Sequence, residues 1–196
     1  MRHLTGYDNA KAMTGESAQL PKGGYVVKIM DCKEIFGEKN GNHYSYLNFS
    51  FDVIEGDYKG HFANVYNSSI NEDKKWKGIY NHFIPQEGSM YYEENLTKFK
   101  TMMVNFEESN EGFHWDWDEK KLKGKIIGIV YGEKEFKTSD GNVITITEPK
   151  YFTNVERIRT GKYTIPSLKK LQGSVQQPSV FDEFTPAADE KLPWEA

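Results

Sequence analysis

Hydrophobic and polar positions alternate most regularly between Tyr44 and Val53. Ser45, Leu47, Phe49, Phe51 and Val53 fall on one side of an extended chain; Tyr44, Tyr46, Asn48, Ser50 and Asp52 fall on the other. Strand side chains point alternately to opposite faces, so this period of two predicts a half-buried strand with the first set in the core. The second set is polar, yet it carries two tyrosines. Glu55-Gly56-Asp57 supplies turn residues. Tyr58–Tyr66 is then predicted to return as a third strand, with Ala63 and Val65 on one side and Phe62, Asn64 and Tyr66 on the other. Upstream, Tyr25–Phe36 alternates as a first strand after the turn Pro21-Lys22-Gly23-Gly24. Asn40-Gly41 between strands one and two is a favoured tight-turn pair.

Downstream, one segment changes to a helical period. Leu96, Phe99, Met103 and Phe106 form a single stripe within Glu93–Ser109, and Glu93 and Glu94 suit the positive end of a helix. Ser68–Gly88 before it is polar, with Asn71–Tyr80 a short helix or a long loop, and Asn110–Asp118 after it is a loop. Leu122–Val130 is a β-branched run that predicts a central strand continuing to Phe136. Asp140-Gly141 marks a hairpin turn, Pro149 interrupts the return, and Tyr151–Arg159 reads as a last strand with Phe152 or Val155 inward. Residues 1–20 read as a flexible arm and 21–162 as the domain. Residues 163–196, rich in Gln, Ser and Pro, read as a disordered acidic tail. Strands interrupted by one helix predict a mainly β protein: a five-stranded barrel of the OB-fold kind, with its helix between strands three and four. An open sheet covered by one helix has the same order.

Composition narrows the class. At 196 residues the chain can bury a core without disulfides, and Cys32 has no partner within it. A reducing compartment follows, and no apolar run or leader-like start argues otherwise, so a cytoplasmic location is expected. Net charge is −4, which alone argues against generic polyanion binding. The distribution is uneven. Residues 1–119 carry 12 basic and 19 acidic side chains, net −7; residues 120–170 carry 12 and 5, net +7; residues 171–196 carry 1 and 5, net −4. A basic groove with a competing acidic tail would look like this, and so would chance clustering on solvated faces.

Catalytic chemistry is not in evidence. The five histidines have no ligand spacing, Cys32 has no cysteine partner, and there is no phosphate-cradling glycine loop. The expectation is no enzyme, no metal and no cofactor. Aromatic residues make up 14% of the chain, more than the core of so polar a sequence calls for. Aromatic side chains stack on bases and Lys or Arg neutralise phosphates in single-stranded nucleic-acid sites. The stacking candidates are Tyr44, Tyr46, Phe62 and Tyr66, on strands two and three, and Trp76 in a lysine-bearing loop. The phosphate candidates are Lys74, Lys75, Lys77, Lys123, Lys125, Lys134, Lys137, Lys150, Arg157 and Arg159. Core packing for Phe62, Tyr66 and Trp76, and simple solvation for half the cations, are the plainer alternatives.

Several short motifs carry a resemblance. Pro21-Lys-Gly-Gly-Tyr25, Phe51-Asp-Val-Ile-Glu-Gly-Asp-Tyr-Lys-Gly60, Leu122-Lys-Gly-Lys125 and Leu192-Pro-Trp194 occur in that order. In this the chain resembles phage-encoded single-stranded DNA-binding proteins of the OB-fold type and related families of phage replication and recombination cassettes. The resemblance implies non-specific coating of single-stranded DNA in the host bacterial cytoplasm. It also implies an acidic tail whose tip, Leu192, Pro193 and Trp194, docks replication or recombination proteins. Here Lys191 interrupts the acids and Glu195 and Ala196 follow Trp194, so a pocket that needs a free carboxylate on the aromatic would not be filled. Barrels of this kind leave a strand edge that can pair, so a homo-oligomer is a further expectation. The rival reading is a β-barrel interaction module, a phage accessory or anti-host factor that binds protein rather than nucleic acid.

Overall fold

A single long strand organises the structure. The computed structural model describes residues 19–39, 41–69 and 73–171. In it β1 (Gly23–Lys39) pairs along its length with β2 (Asn42–Val53) and, at its start, with β4 (Ile126–Lys137). β3 (Ile79–Phe83) adds to β2, and β5 (Val143–Thr153) adds to β4, giving one antiparallel sheet in the order β3-β2-β1-β4-β5. A register shift between Ile29 and Asp31 marks a bulge in β1, and bulges bend and twist a strand. The sheet is mainly β in class and open: no ladder joins β3 to β5 among the described residues.

The core lies on the inner face, where Val27, Ile29, Leu47, Phe49, Phe51, Val53, Ile127 and Ile129 are buried. The period-two reading of β2 therefore holds for its apolar set. Helix α2 (Tyr92–Ser109) lies between β3 and β4 in sequence and closes this face with Phe99, Met102, Met103 and Phe106. The Phe49, Phe106 and Phe152 rings meet within 5.1–6.0 Å. Asn105, also buried, donates to the Phe152 carbonyl at 3.4 Å.

Three expectations are corrected. Residues 58–66 are not a strand: a turn leads into helix α1 (His61–Ser68). Asp52 at the end of β2 causes this. Its Oδ1 accepts from the Phe62 N–H at 2.9 Å and its Oδ2 from the Ala63 N–H at 3.2 Å, satisfying first-turn donors that otherwise have no partner. The third strand is instead Ile79–Phe83, inside the stretch expected to be irregular. Finally, the last strand ends at Thr153, and Val155–Arg159 is helix α3. The Asn154 side chain accepts from the Arg157 N–H at 2.9 Å and starts that turn. Pro149 sits where the β4–β5 register slips rather than ending the strand, a place where a missing N–H is tolerated. α3 packs by Ile158 onto Gly128, where a β-carbon would come within 2.4 Å of the isoleucine.

The arm and tail boundaries also shift. Leu20 is buried in the core, and its carbonyl accepts from the Thr147 hydroxyl at 2.5 Å. The Tyr163 hydroxyl accepts from the Gly24 N–H at 3.1 Å. Lys169 forms a parallel bridge with Lys134 on the edge of β4 that β1 leaves open beyond Tyr131. So residues 163–171, assigned to the tail, pack on the domain. Leu192, Pro193 and Trp194 lie outside the described residues. Among the described residues, no helix is long and apolar enough to cross a membrane.

Candidate nucleic-acid interface

Pairing register decides which residues share the outer face of β2. Gly37 and Ile35 on β1 stand opposite Tyr44 and Tyr46, and Phe83 on β3 stands opposite Tyr46. Opposed residues lie on one face, so Tyr44, Tyr46 and Phe83 form an aromatic row. Tyr44 and Tyr46 are near-parallel, with centroids 6.3 Å apart and 17° between planes. Phe83 lies 5.9 Å from Tyr44 and 5.6 Å from Tyr46. The Tyr44 ring covers Gly37 so closely that a β-carbon there would meet it at 2.4 Å. Beyond the row, Asn48 donates to Asn81 across the strands at 2.7 Å.

The tyrosines are not equivalent. Tyr44 is half-buried, whereas Tyr46 is only 6% exposed. Burial, and then the neighbouring Tyr44, raise the Tyr46 phenol above its ordinary range. Tyr46 is thus corrected from a free stacking platform to the floor of the row. Phe83 was missed. The alternation of Ile79, Asn81 and Phe83 against Tyr80 and His82 was its signal, hidden by the polar residues around it.

The other stacking candidates are elsewhere. Phe62 is buried on α1, edge-on to Phe51 at 5.6 Å. Trp76 is an anchor rather than a free platform. Its indole N–H donates to the Phe51 carbonyl at 3.1 Å, and its ring meets Phe62 and Tyr66 at 6.5 and 5.9 Å. Tyr66 stays exposed on α1, with Lys74 over its ring at 5.8 Å.

Nor do the cations gather in one groove. Lys134 and Lys150, both largely covered, clamp Glu148 at 2.6 and 2.8 Å. Burial pushes the Glu148 carboxyl up, but hydrogen bonds from Lys134 and Lys150 outweigh it and hold the group below its usual range. Arg159 forks onto Glu55, with Nη2 to Oε1 at 2.6 Å and Nε to Oε2 at 3.2 Å. Lys134 and Lys150 are therefore corrected from phosphate contacts to a structural clamp on Glu148, whereas Arg159 stays exposed while paired with Glu55. Lys125 lies over the Phe113 ring at 4.7 Å. Lys74, Lys75, Lys77, Lys123, Lys137 and Arg157 are exposed. Lys123 and Lys125 flank Gly124, which bonds to β1 at Ile29. Lys137 ends β4, roughly 35–40 Å further along that strand. Among the described residues, no three His, Cys, Asp or Glu side chains converge as a metal site.

What fold and site define is a mainly β, single-sheet protein with an aromatic row on the outer face of β2–β3. The chain matches no protein-family model and no curated protein.

Proposed function

We propose that the protein binds single-stranded DNA without sequence preference and protects it during phage replication or recombination. The observation that carries this is the row of Tyr44, Tyr46 and Phe83 on the outer face of β2–β3. In OB-fold domains the face of strands two and three is where oligonucleotides lie. The finer assignment, a barrel of that kind, draws support from the β3 and β5 edges. The Tyr80 hydroxyl on β3 donates to the Lys150 carbonyl on β5 at 3.2 Å, and the Tyr80 and Phe152 rings are 4.8 Å apart. Tyr44 is the stacking residue of this reading, with Tyr46 and Phe83 holding it in place. Lys123, Lys125, Lys137 and Arg157, with Lys74, Lys75 and Lys77, supply the phosphate contacts. The protein acts by binding, without catalysis or cofactor, in the host cytoplasm. Self-assembly and docking of replication proteins by the C-terminal tip belong to the same reading.

Fluorescence anisotropy with a labelled dT oligonucleotide at low and high salt is the test. Binding at low salt that weakens as salt rises is expected; no binding at low salt overturns the proposal. Tyr44→Ala is expected to lose about 1–3 kcal/mol of affinity while the fold is kept. Tyr46→Ala is expected to lose about 2–4 kcal/mol of fold stability instead. Unchanged affinity in Tyr44→Ala would remove this face from the site.

A second reading, a protein-interaction module, is favoured by one observation. Glu148 and Glu55 neutralise three of the cations a DNA groove would use.

A further inference from the structure

We propose that β1 supplies the phosphate contacts of the aromatic row through Lys33 and Lys39, so that a single strand runs along β1 with its bases turned over Tyr44 and Phe83. The site rests on the single-stranded DNA reading and adds two residues to it. None of the seven cations assigned to phosphates in that reading lies on β1, β2 or β3. Single-strand sites combine stacking rings with a basic track for the backbone, so the row needs cations of its own.

Register places two beside it. Lys33 stands opposite Asn48, Ile35 opposite Tyr46, Gly37 opposite Tyr44 and Lys39 opposite Asn42. Opposed residues share a face, and successive residues alternate between faces. Lys33 and Lys39 therefore lie on the outer face with the row, and Glu34 and Glu38 lie on the inner one. Glu38 meets His43 there at 3.7 Å. The bulge between Ile29 and Asp31 sets this parity. Val27 and Ile29 point into the core, and an unbroken alternation would send Lys33 and Lys39 the same way. The extra residue turns both lysines outward, as bulges re-aim side chains.

Spacing and charge select the occupant. Lys33 and Lys39 are six residues apart, about 20 Å of strand, and the row lies between them. Two strand spacings, about 10 Å, separate β1 from Phe83 on β3, a span that a nucleotide bridges from phosphate to base. Both lysines are exposed. Lys33 meets Asp31 at 3.0 Å, with the two side chains 69% and 40% exposed. An exposed pair of this kind contributes little, so the ammonium can turn to a phosphate. On the outer face from Asp31 to Lys39, Asp31 is the one carboxylate, and the residues facing this stretch on β2 and β3 add none. A polyanion that carries flat rings fits such a face; an acidic peptide matches its charge and leaves the rings unused.

The test uses the full chain and a labelled dT oligonucleotide, with anisotropy read across a salt series. Wild-type protein is expected to bind. Lys33→Gln with Lys39→Gln is expected to reduce the slope of log affinity against log salt by about 1.4, at about 0.7 for each lost contact. Each single substitution should give half that change. Glu34→Gln with Glu38→Gln alters net charge by the same amount on the other face and should leave the slope as it is. A dT oligonucleotide with uncharged methylphosphonate linkages should bind wild type and the lysine variant alike. An unchanged slope in the lysine variants, while wild type binds, overturns the lysine assignment and leaves the DNA reading standing. So do equal and opposite affinity changes in the two double variants, because net charge rather than contact would then be responsible. A glycine–glutamate peptide that competes as well as dT also overturns it and makes the face a site for acidic protein. No binding of dT by wild type overturns both.

Discussion

His82 makes the clearest pH statement in the molecule. Burial lowers its pKa first and the Lys98 ammonium second, from 6.5 to about 4. Its ring lies 5.9 Å from Phe99 and 6.2 Å from Tyr80. In the fold it is therefore neutral down to about pH 4, whereas in the unfolded chain it protonates near 6.5. Below 6.5 the unfolded state binds more protons, so stability present above that pH is lost as pH falls towards 4, at up to about 1.4 kcal/mol per unit. Urea unfolding at pH 7, 5.5 and 4.5 should reveal this slope, and His82→Gln should flatten it. An equal slope in the variant would assign the loss to other groups. At this scale the sequence was read unevenly. The apolar set of β2 was legible because its period matches the pleat. The exposure of Tyr46 was misread because Phe83, which covers it, lies 37 residues on (83 − 46) and is brought opposite it only by the β2–β3 register.

Among the elements, α1 is the one whose nature depends most on a partner. His61-Phe-Ala-Asn-Val-Tyr66 alternates well enough for a strand, yet Phe62, Val65 and Tyr66 also have helical spacing. A short segment of this kind is ambiguous from its own residues. The Asp52 carboxylate decides it by accepting two first-turn N–H groups, and Phe62 is thereby turned onto Phe51 and Trp76. Asp52→Ala is accordingly expected to cost about 1–2 kcal/mol, the usual loss for a removed helix cap. Asp52→Asn should cost less, because an amide oxygen still accepts. Chemical denaturation of the two variants measures both; equal losses would mean that charge, rather than acceptor geometry, holds the helix. By contrast, α2 needed no outside decision: its stripe is long enough to be read directly, and Phe99, Met103 and Phe106 are buried as expected.

For the whole molecule, the ends of the domain are set by packing that composition conceals. Residues 163–171 look like the start of a tail, yet Tyr163 bonds β1 and Lys169 bridges β4. Deleting from Tyr163 onward is therefore expected to lower the melting temperature more than deleting from residue 172 onward. Equal melting of the two truncations would mean that these contacts add nothing. The +7 segment shows the same limit of composition: once folded, Lys134, Lys150 and Arg159 face Glu148 and Glu55. What the sequence by itself determined was local: the strand over 44–53, the helix over 93–109, the hairpin at Asp140-Gly141 and a mainly β class. Each follows from a period or turn chemistry written within a dozen or so consecutive residues. Only the tertiary structure decided that β3 is Ile79–Phe83, that Tyr44 rather than Tyr46 reaches solvent, and which cations are left exposed. Those outcomes depend on cross-strand register and on ion pairs between residues up to 104 positions apart, and such distances leave no periodic trace in the chain.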